Sequence, residues 1–279
     1  KLRRLEIKSF KNLMFLIHIC LTQMLLKFFE KLKLSDDNNL NNEQRFILHK
    51  KILNNKKMLK TAYADFYLDM LKSEKRFRSK NKKNSKKEIR IELGSGVGFI
   101  KNYDKVIVTS DVVFNKLTDR IIDANKLPYK KNCISSIFGV FCFHHFKDPF
   151  NFLKDIEKKL TLGGLCILVE PYYGPLASMI YKKVHKSEYF DAHEKFNYKI
   201  KNKTAMEKAN QALSYIYFKR DKVKFYKAFP RLKIVHTSVF NNYLRFLISG
   251  GLNFKSLLPD FFIIPIKILE KILIPFKKI

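Results

Sequence analysis

The feature that most constrains this chain is IELGSGVGFIK, residues 91–101. Ile91, Glu92 and Leu93 run straight into Gly94, Gly96 and Gly98, in a chain with only 9 glycines. Glycine tolerates left-handed backbone and lets another group come close to bare main chain. A strand that ends in such a turn before a helix admits a ligand at the carboxyl end of an open α/β sheet. The segments that follow fit that sheet. EIRIEL (88–93), KVIVTSD (105–111), IIDA (121–124), CISSIFGVFCF (133–143) and LCILVEP (165–171) read as five short strands. DPFNFLKDIEKKL (148–160) reads as a helix between the last two, with Asp148 as N-cap, Pro149 at the first turn and Gly163-Gly164 as C-cap. RLKIVHTSVF (231–240) reads as a sixth strand. Strands alternating with helices predict a mostly parallel sheet covered on both faces.

Additions flank this core. Residues 1–86 read as helices near 9–33, 43–53 and 57–73, then a solvated Lys-rich linker (72–88). Residues 87–172 are the core, 173–230 an insert rich in Tyr, Lys and His with a helix at 204–221, and 231–279 the late strand and an amphipathic, basic tail (261–279). The apolar stretch 13–26 is too short and too interrupted to span a bilayer.

The formal charge is +31, but only 10 of the 56 basic residues are Arg, and Lys is spread along the whole chain. Phosphate and nucleic-acid sites favour Arg, so a generally basic surface is the simplest reading. Attraction to an anionic membrane, glycan or RNA is the alternative. Cys20, Cys133, Cys142 and Cys166 form no CxxC pair, and they predict free thiols in a reducing compartment.

The ligand chemistry can be narrowed. A dinucleotide turn, GxGxxG, needs glycine where Phe99 stands. Glu92 also opposes a pyrophosphate, whereas it suits an ammonium or sulfonium. Asp111 closes the second strand 17 residues after Gly94, near the ~20-residue interval at which an acid reaches ribose hydroxyls. Asp123-Ala124 closes the third strand, where a carboxylate can accept from an adenine amine. Each acid taken alone can also be a simple helix cap.

IELGSGVGFIK, TSDV (109–112) and DANKLPYKKNCISSIFGVFCFHHFKDPFNFLKDIEKKLTLGGLCILVEP (123–171) resemble the class I S-adenosylmethionine-dependent methyltransferases, specifically the type 11 domain. The resemblance implies a Rossmann-like fold with S-adenosylmethionine as cofactor. Gly94, Ser95, Gly96 and Gly98 would lie under its methionine part with Glu92 nearby. Asp111 would hold the ribose, Asp123 and Ala124 would meet the adenine, and Phe141 to His144 would face the sulfonium. The acceptor implied is a small molecule, saccharide or lipid-linked intermediate, methylated on oxygen. His144 and His185 are the candidate bases. FCFHHF stands where base-methylating enzymes carry an Asn/Asp-Pro-Pro passage, which disfavours nucleic acid. No metal is expected, because no HExxH-type spacing occurs. The expected location is the cytoplasm, with peripheral contact at the inner face of an anionic membrane. Leu162 replaces the family's usual Pro, and no seventh strand is legible. Two other classes stay open: a nicotinamide-dependent oxidoreductase, and a basic membrane- or RNA-binding module with a degenerate cofactor site.

Overall fold

A computed structural model of the chain describes residues 31–34, 40–78, 89–174, 178, 188–199 and 209–276. The expected helix at 9–33 (apart from 31–33), the 13–26 stretch, most of the linker, residues 204–208 and His185 lie outside the described residues.

The centre is a five-stranded sheet built from β1 (Ile89–Leu93), β2 (Val108–Asp111), β3 (Arg120–Ile121), β4 (Ile134–Val140) and β5 (Leu160–Val169). Its order is β3-β2-β1-β4-β5 and every pairing is parallel. All seven residues of β4 are buried, as expected of a central parallel strand covered on both faces. Ile91, Leu93 and Ile137 face one cluster, which contains Phe152, Leu153 and Ile156 of α3 (Pro149–Lys159). Phe138 and Val140 face the other, with Leu59, Phe66, Tyr67 and Met70 of α2 (Lys57–Arg78). The apolar stripe of α2 recurs every three or four residues, which is why it lies flat on the sheet. α1 (Asn42–Asn55) starts on a reciprocal capping box between Asn41 and Gln44. The expected Asp148 cap of α3 is present, its carboxylate accepting from the Asn151 amide at 2.9 Å.

Four expectations change. The polar run from residue 72 is not linker at first: α2 continues to Arg78 and buries Glu74. Arg90 of β1 holds that carboxylate with two nitrogens, at 2.8 and 2.5 Å, and Asp104 with a third. A bidentate partner makes burial of a carboxylate affordable, and local composition does not reveal it. The glycines at 163 and 164 do not cap α3. They lie inside β5, whose pairing jumps from Ile134↔Leu160 to Ser136↔Leu165, so the extra residues form an irregularity in the ladder. Residues 231–240 join no strand. Leu232 and Ile234 pack in the α3-side cluster while Phe240 meets Phe66 on the other face, 4.8 Å between ring centres. The apolar residues thus serve two cores, and the segment crosses between them. Finally, of the helix expected at 204–221, residues 209–212 are not helical. The regular part begins at Leu213–Tyr215, passes through a π-turn at Ile216–Arg220 and enters α4 (Lys222–Ala228).

The C-terminal part returns to α2. Arg245 of α5 (Tyr243–Ile248) is buried between Glu270 of α6 (Ile263–Ile272), at 2.7 Å, and Asp65 of α2, at 2.5 Å. Lys56, between α1 and α2, donates to the carbonyls of Ser249, Gly251 and Phe254, and burial lowers its pKa to about 8. Among the described residues no helix is long and apolar enough to cross a membrane.

The central core sets a stability test. Phe152 is fully buried and its ring lies 4.7 Å from that of Phe146. Phe152→Ala is expected to lower the unfolding free energy by about 3–5 kcal/mol, measured by urea denaturation.

Candidate active site

In the order β3-β2-β1-β4-β5 the connections diverge on either side of β1 and β4, which opens a crevice beyond their carboxyl ends. The glycine turn fills the β1 side. Gly94, Gly96 and Gly98 all have positive φ, at 60°, 52° and 65°. A Cβ on Gly94 would sit 2.7 Å from the Cys142 Cβ, so this glycine lets the exits of β1 and β4 touch. A Cβ on Gly96 would meet nothing within 4 Å, so bare main chain faces open space there. The turn leads into a four-residue 3-10 helix, Phe99–Asn102, rather than the α-helix its pattern suggests. Phe99 and Ile100 are buried and anchor it.

Ser95 is committed to the scaffold. Its hydroxyl accepts from the Ser110 amide at 3.0 Å and its own amide donates to the Ser110 carbonyl at 2.9 Å, tying the turn to β2. Asp111 closes the same clasp. Its carboxylate accepts from the Gly96 amide at 3.1 Å and from the Val112 amide at 2.8 Å. Burial raises its pKa, and those amides work against the rise. Asn115 also bonds the Gly96 carbonyl. The sequence-predicted acid is therefore at the turn, joined to the glycine whose main chain is exposed to the open side.

Glu92 is the electrostatic anomaly of the turn. It is 1% exposed, and neither carboxylate oxygen has a hydrogen-bond partner among the described residues. Burial raises its pKa to about 7, with the Tyr67 hydroxyl and Ser95 close enough to ease the charge in part. An orphaned acid beneath an open glycine turn fits a ligand that brings a cation, such as the ammonium of a methionine moiety. It does not fit a pyrophosphate. Asp123 and Ala124 are not brought into this clasp: the Asp123 carboxylate accepts from the amide and side chain of Asn125, at 2.8 and 2.9 Å, and Ala124 is buried in the α3-side cluster.

On the β4 side, Phe141 has φ 52°, a strained backbone for an aromatic residue, and its ring packs against Phe66 and Phe246 at 5.4 and 5.6 Å. The main chain then turns through Phe143–His145. Glu170, just past β5, accepts from the amides of Cys142, Phe143 and His144 at 3.0, 2.8 and 3.3 Å. It also meets His144 Nδ1 at 2.6 Å. His144 Nε2 lies 3.6 Å from Glu188, and His145 Nε2 lies 3.4 Å from the same carboxylate. Burial alone would lower the His144 pKa, but Glu170 and Glu188 override it and hold it at about 9. Burial would raise Glu188, yet His144 draws it down to about 2. Sequence reading missed both acids. Glu170 had a signal, an acid closing the fifth strand. Glu188 had none, because the chain reaches the crevice again only after the insert begins.

Tyr173 of the insert stacks on Tyr215 and Phe190, at 4.0 and 5.5 Å, so these rings build the insert itself. Cys133, Cys142 and Cys166 are free thiols.

Glu92 gives a pH-dependent stability. Its folded pKa, about 7, exceeds the free value of 4.5, so folding takes up a proton between those values. Stability is therefore lost as pH rises from 4.5 to 7, by about 3 kcal/mol, and levels off above. Glu92→Gln is expected to remove most of that fall, read as the difference in unfolding free energy between pH 5 and pH 8. An equal fall in both proteins assigns it to other groups.

The family profile described as a methyltransferase domain matches residues 91–168. No curated protein matches the chain's sequence. Among solved structures it is similar to an S-adenosylmethionine-dependent methyltransferase from Aquifex aeolicus, with 22% identity, 27% of this chain against 52% of that one and a TM-score of 0.24. It is also similar to YcgJ from Bacillus subtilis, with 17% identity, 36% against 52% and 0.30. A methyltransferase from Thermotoga maritima gives 18% identity, 51% against 70% and 0.35. The chain thus spans about half the length of the first two. Residues 91–168, which carry the glycine turn, the acid at the end of β2 and nearly all of the β3-β2-β1-β4-β5 sheet, match the type 11 methyltransferase domain family.

Proposed function

We propose that the protein transfers the methyl group of S-adenosylmethionine to an oxygen of a small-molecule, saccharide or lipid-linked acceptor. The observation that carries this reading is the unpartnered Glu92 carboxylate beneath the open turn at Gly96, with Asp111 tied to the same glycine. In the proposed complex Glu92 takes the cofactor's ammonium and Asp111 turns its remaining acceptor capacity to the ribose. Asp123 and Ala124 are proposed to meet the adenine, which requires Asp123 to give up its bonds to Asn125. S-adenosylmethionine supplies a carbon already activated by its sulfonium. The protein's own contribution is alignment and exclusion of water. Bound there, the cofactor would supply the methyl to an acceptor oxygen held in line with its carbon–sulfur bond, whose electron pair would leave on sulfur. His185 is the proposed proton-accepting group on the acceptor side, whereas His144, held protonated between Glu170 and Glu188, can only donate there. A nicotinamide cofactor is the weaker reading, since its pyrophosphate would meet Glu92.

The proposed place of work is the cytoplasmic face of an anionic membrane. Ile264, Ile268 and Ile272 lie along one side of α6 at 70, 54 and 65% exposure, opposite the buried Ile266 and Glu270, and Phe261 in the turn before it is 73% exposed. Lys267 and Lys271 are exposed at the edge of that row. An apolar row flanked by lysines suits shallow insertion among anionic headgroups.

Calorimetry with S-adenosylhomocysteine is expected to show one site, with NADH giving no heat. Gly96→Ala is expected to fold with a loss of about 1–2 kcal/mol, from its left-handed backbone, and to bind the nucleoside at least tenfold more weakly. Heat with NADH alone reverses the assignment. His185→Ala is expected to lower turnover far more than cofactor affinity. In flotation with phosphatidylserine vesicles, Ile264→Glu/Ile268→Glu is expected to stay at the bottom of the gradient where the unchanged protein rises. Equal flotation removes the tail as the anchor.

A further inference from the structure

The group of His144, His145 and Glu188 is more than a charge pair. One donor atom from each lies within 4.8 Å of the other two. The imidazole rings are 4.3 Å apart, and both present Nε2 to the two oxygens of one carboxylate, at 3.6 and 3.4 Å. Two donors about 2.1 Å from one ion and at a tetrahedral angle stand about 3.4 Å apart, close to the distance of each imidazole Nε2 from Glu188. The surroundings are built in the same sense. Glu170 takes His144 Nδ1 at 2.6 Å and is itself fixed by three main-chain amides, which leaves Nε2 aimed at Glu188. A carboxylate behind an imidazole is the usual outer support of a metal-bound histidine. Gln211 donates to Glu188 at 2.6 Å and steadies the third donor. The other side of the Gln211 amide, its Oε1, is buried without a partner among the described residues. His144 is buried, whereas the side chains of His145 and Glu188 are 18 and 15% exposed, so the group opens outward on one side.

We propose that His144, His145 and Glu188 bind one divalent first-row transition-metal ion, and that its open positions hold a methyl acceptor chelating through two oxygens. Two imidazoles and one carboxylate with vacant positions select zinc, iron(II), cobalt or manganese over magnesium. The second half of the proposal rests on the methyltransferase reading, while the metal site stands without it. The ion would make a hydroxyl bound to it more acidic, so that its proton could pass to solvent and its oxygen could take the methyl as the carbon–sulfur bond breaks, leaving S-adenosylhomocysteine with neutral sulfur. The glycine turn and the metal group meet where Gly94 touches Cys142, two residues before His144, so donor and acceptor would share one crevice. Vicinal diols, catechols and hydroxy-carboxylates are the acceptor classes that such an ion favours. The sequence hides this site because Glu188 comes far along the chain from the adjacent histidines, with no recognisable spacing.

The test uses the full chain, stripped with chelator and titrated with zinc, cobalt and magnesium chlorides. One equivalent of zinc is expected to bind, magnesium none, and cobalt is expected to give the visible absorption of a low-symmetry site. His145→Ala and Glu188→Gln, both at partly exposed positions, are expected to weaken zinc at least tenfold while keeping the far-ultraviolet circular dichroism and the affinity for S-adenosylhomocysteine. Acetohydroxamate, a bidentate oxygen probe, is expected to shift the cobalt spectrum. No zinc binding, or equal binding in both variants, overturns the site. A cobalt spectrum unmoved by the probe overturns the acceptor role. A protein that binds zinc but not S-adenosylhomocysteine keeps the metal site and loses the methyltransferase reading, and the reverse result does the opposite.

Discussion

The crevice depends on the carboxylate of Glu170. Beyond β4 the main chain must leave the sheet sharply, and the amides of Cys142, Phe143 and His144 lose their ladder partners there. All three donate to Glu170 from the neighbouring β5 exit. A carboxylate that accepts several amides is satisfied where a neutral side chain would leave donors buried and unpaired. The same group holds His144, so the bend, the ring orientation and the edge of the crevice follow from one residue. The left-handed backbone at Phe141 is tolerated because the ring on one side and these amides on the other leave it no alternative.

Glu92 shows the opposite logic. It sits across the crevice in β1, fully buried, with only the Tyr67 hydroxyl and Ser95 near enough to ease its charge in part. Burying a carboxylate with so little support destabilises its charged form, which is why its pKa rises to about 7. One acid of the crevice is thus satisfied by the scaffold, and the other is left largely unsatisfied by it. Asp111 is buried and spends both carboxylate oxygens on main-chain amides, of Gly96 and Val112.

Outside the core, charge is used to dock elements rather than to fill a groove. Arg90 binds Glu74, Arg245 binds Glu270 and Asp65, and Lys56 binds three carbonyls. Arg90 thus fastens α2 to the sheet, and Arg245 fastens α5 and α6 to α2. Pinning α6 through Glu270 and Ile266 also turns its richest apolar row outward, contrary to the usual orientation of an amphipathic helix.

The sequence by itself determined the sheet and the turn. Strands β1, β2, β4 and β5 and helix α3 were legible because apolar runs, Pro149 and the Asp148 cap act through neighbours close in the chain. Asp111 was legible because a strand of fixed length carries it to a fixed place. Tertiary structure decided the rest. Glu74 became core because Arg90 faces it, residues 231–240 failed to pair because their apolar side chains serve two clusters, and Glu170 and Glu188 met the histidines across long separations in sequence. Such contacts depend on where distant segments return, and local periodicity carries no record of that.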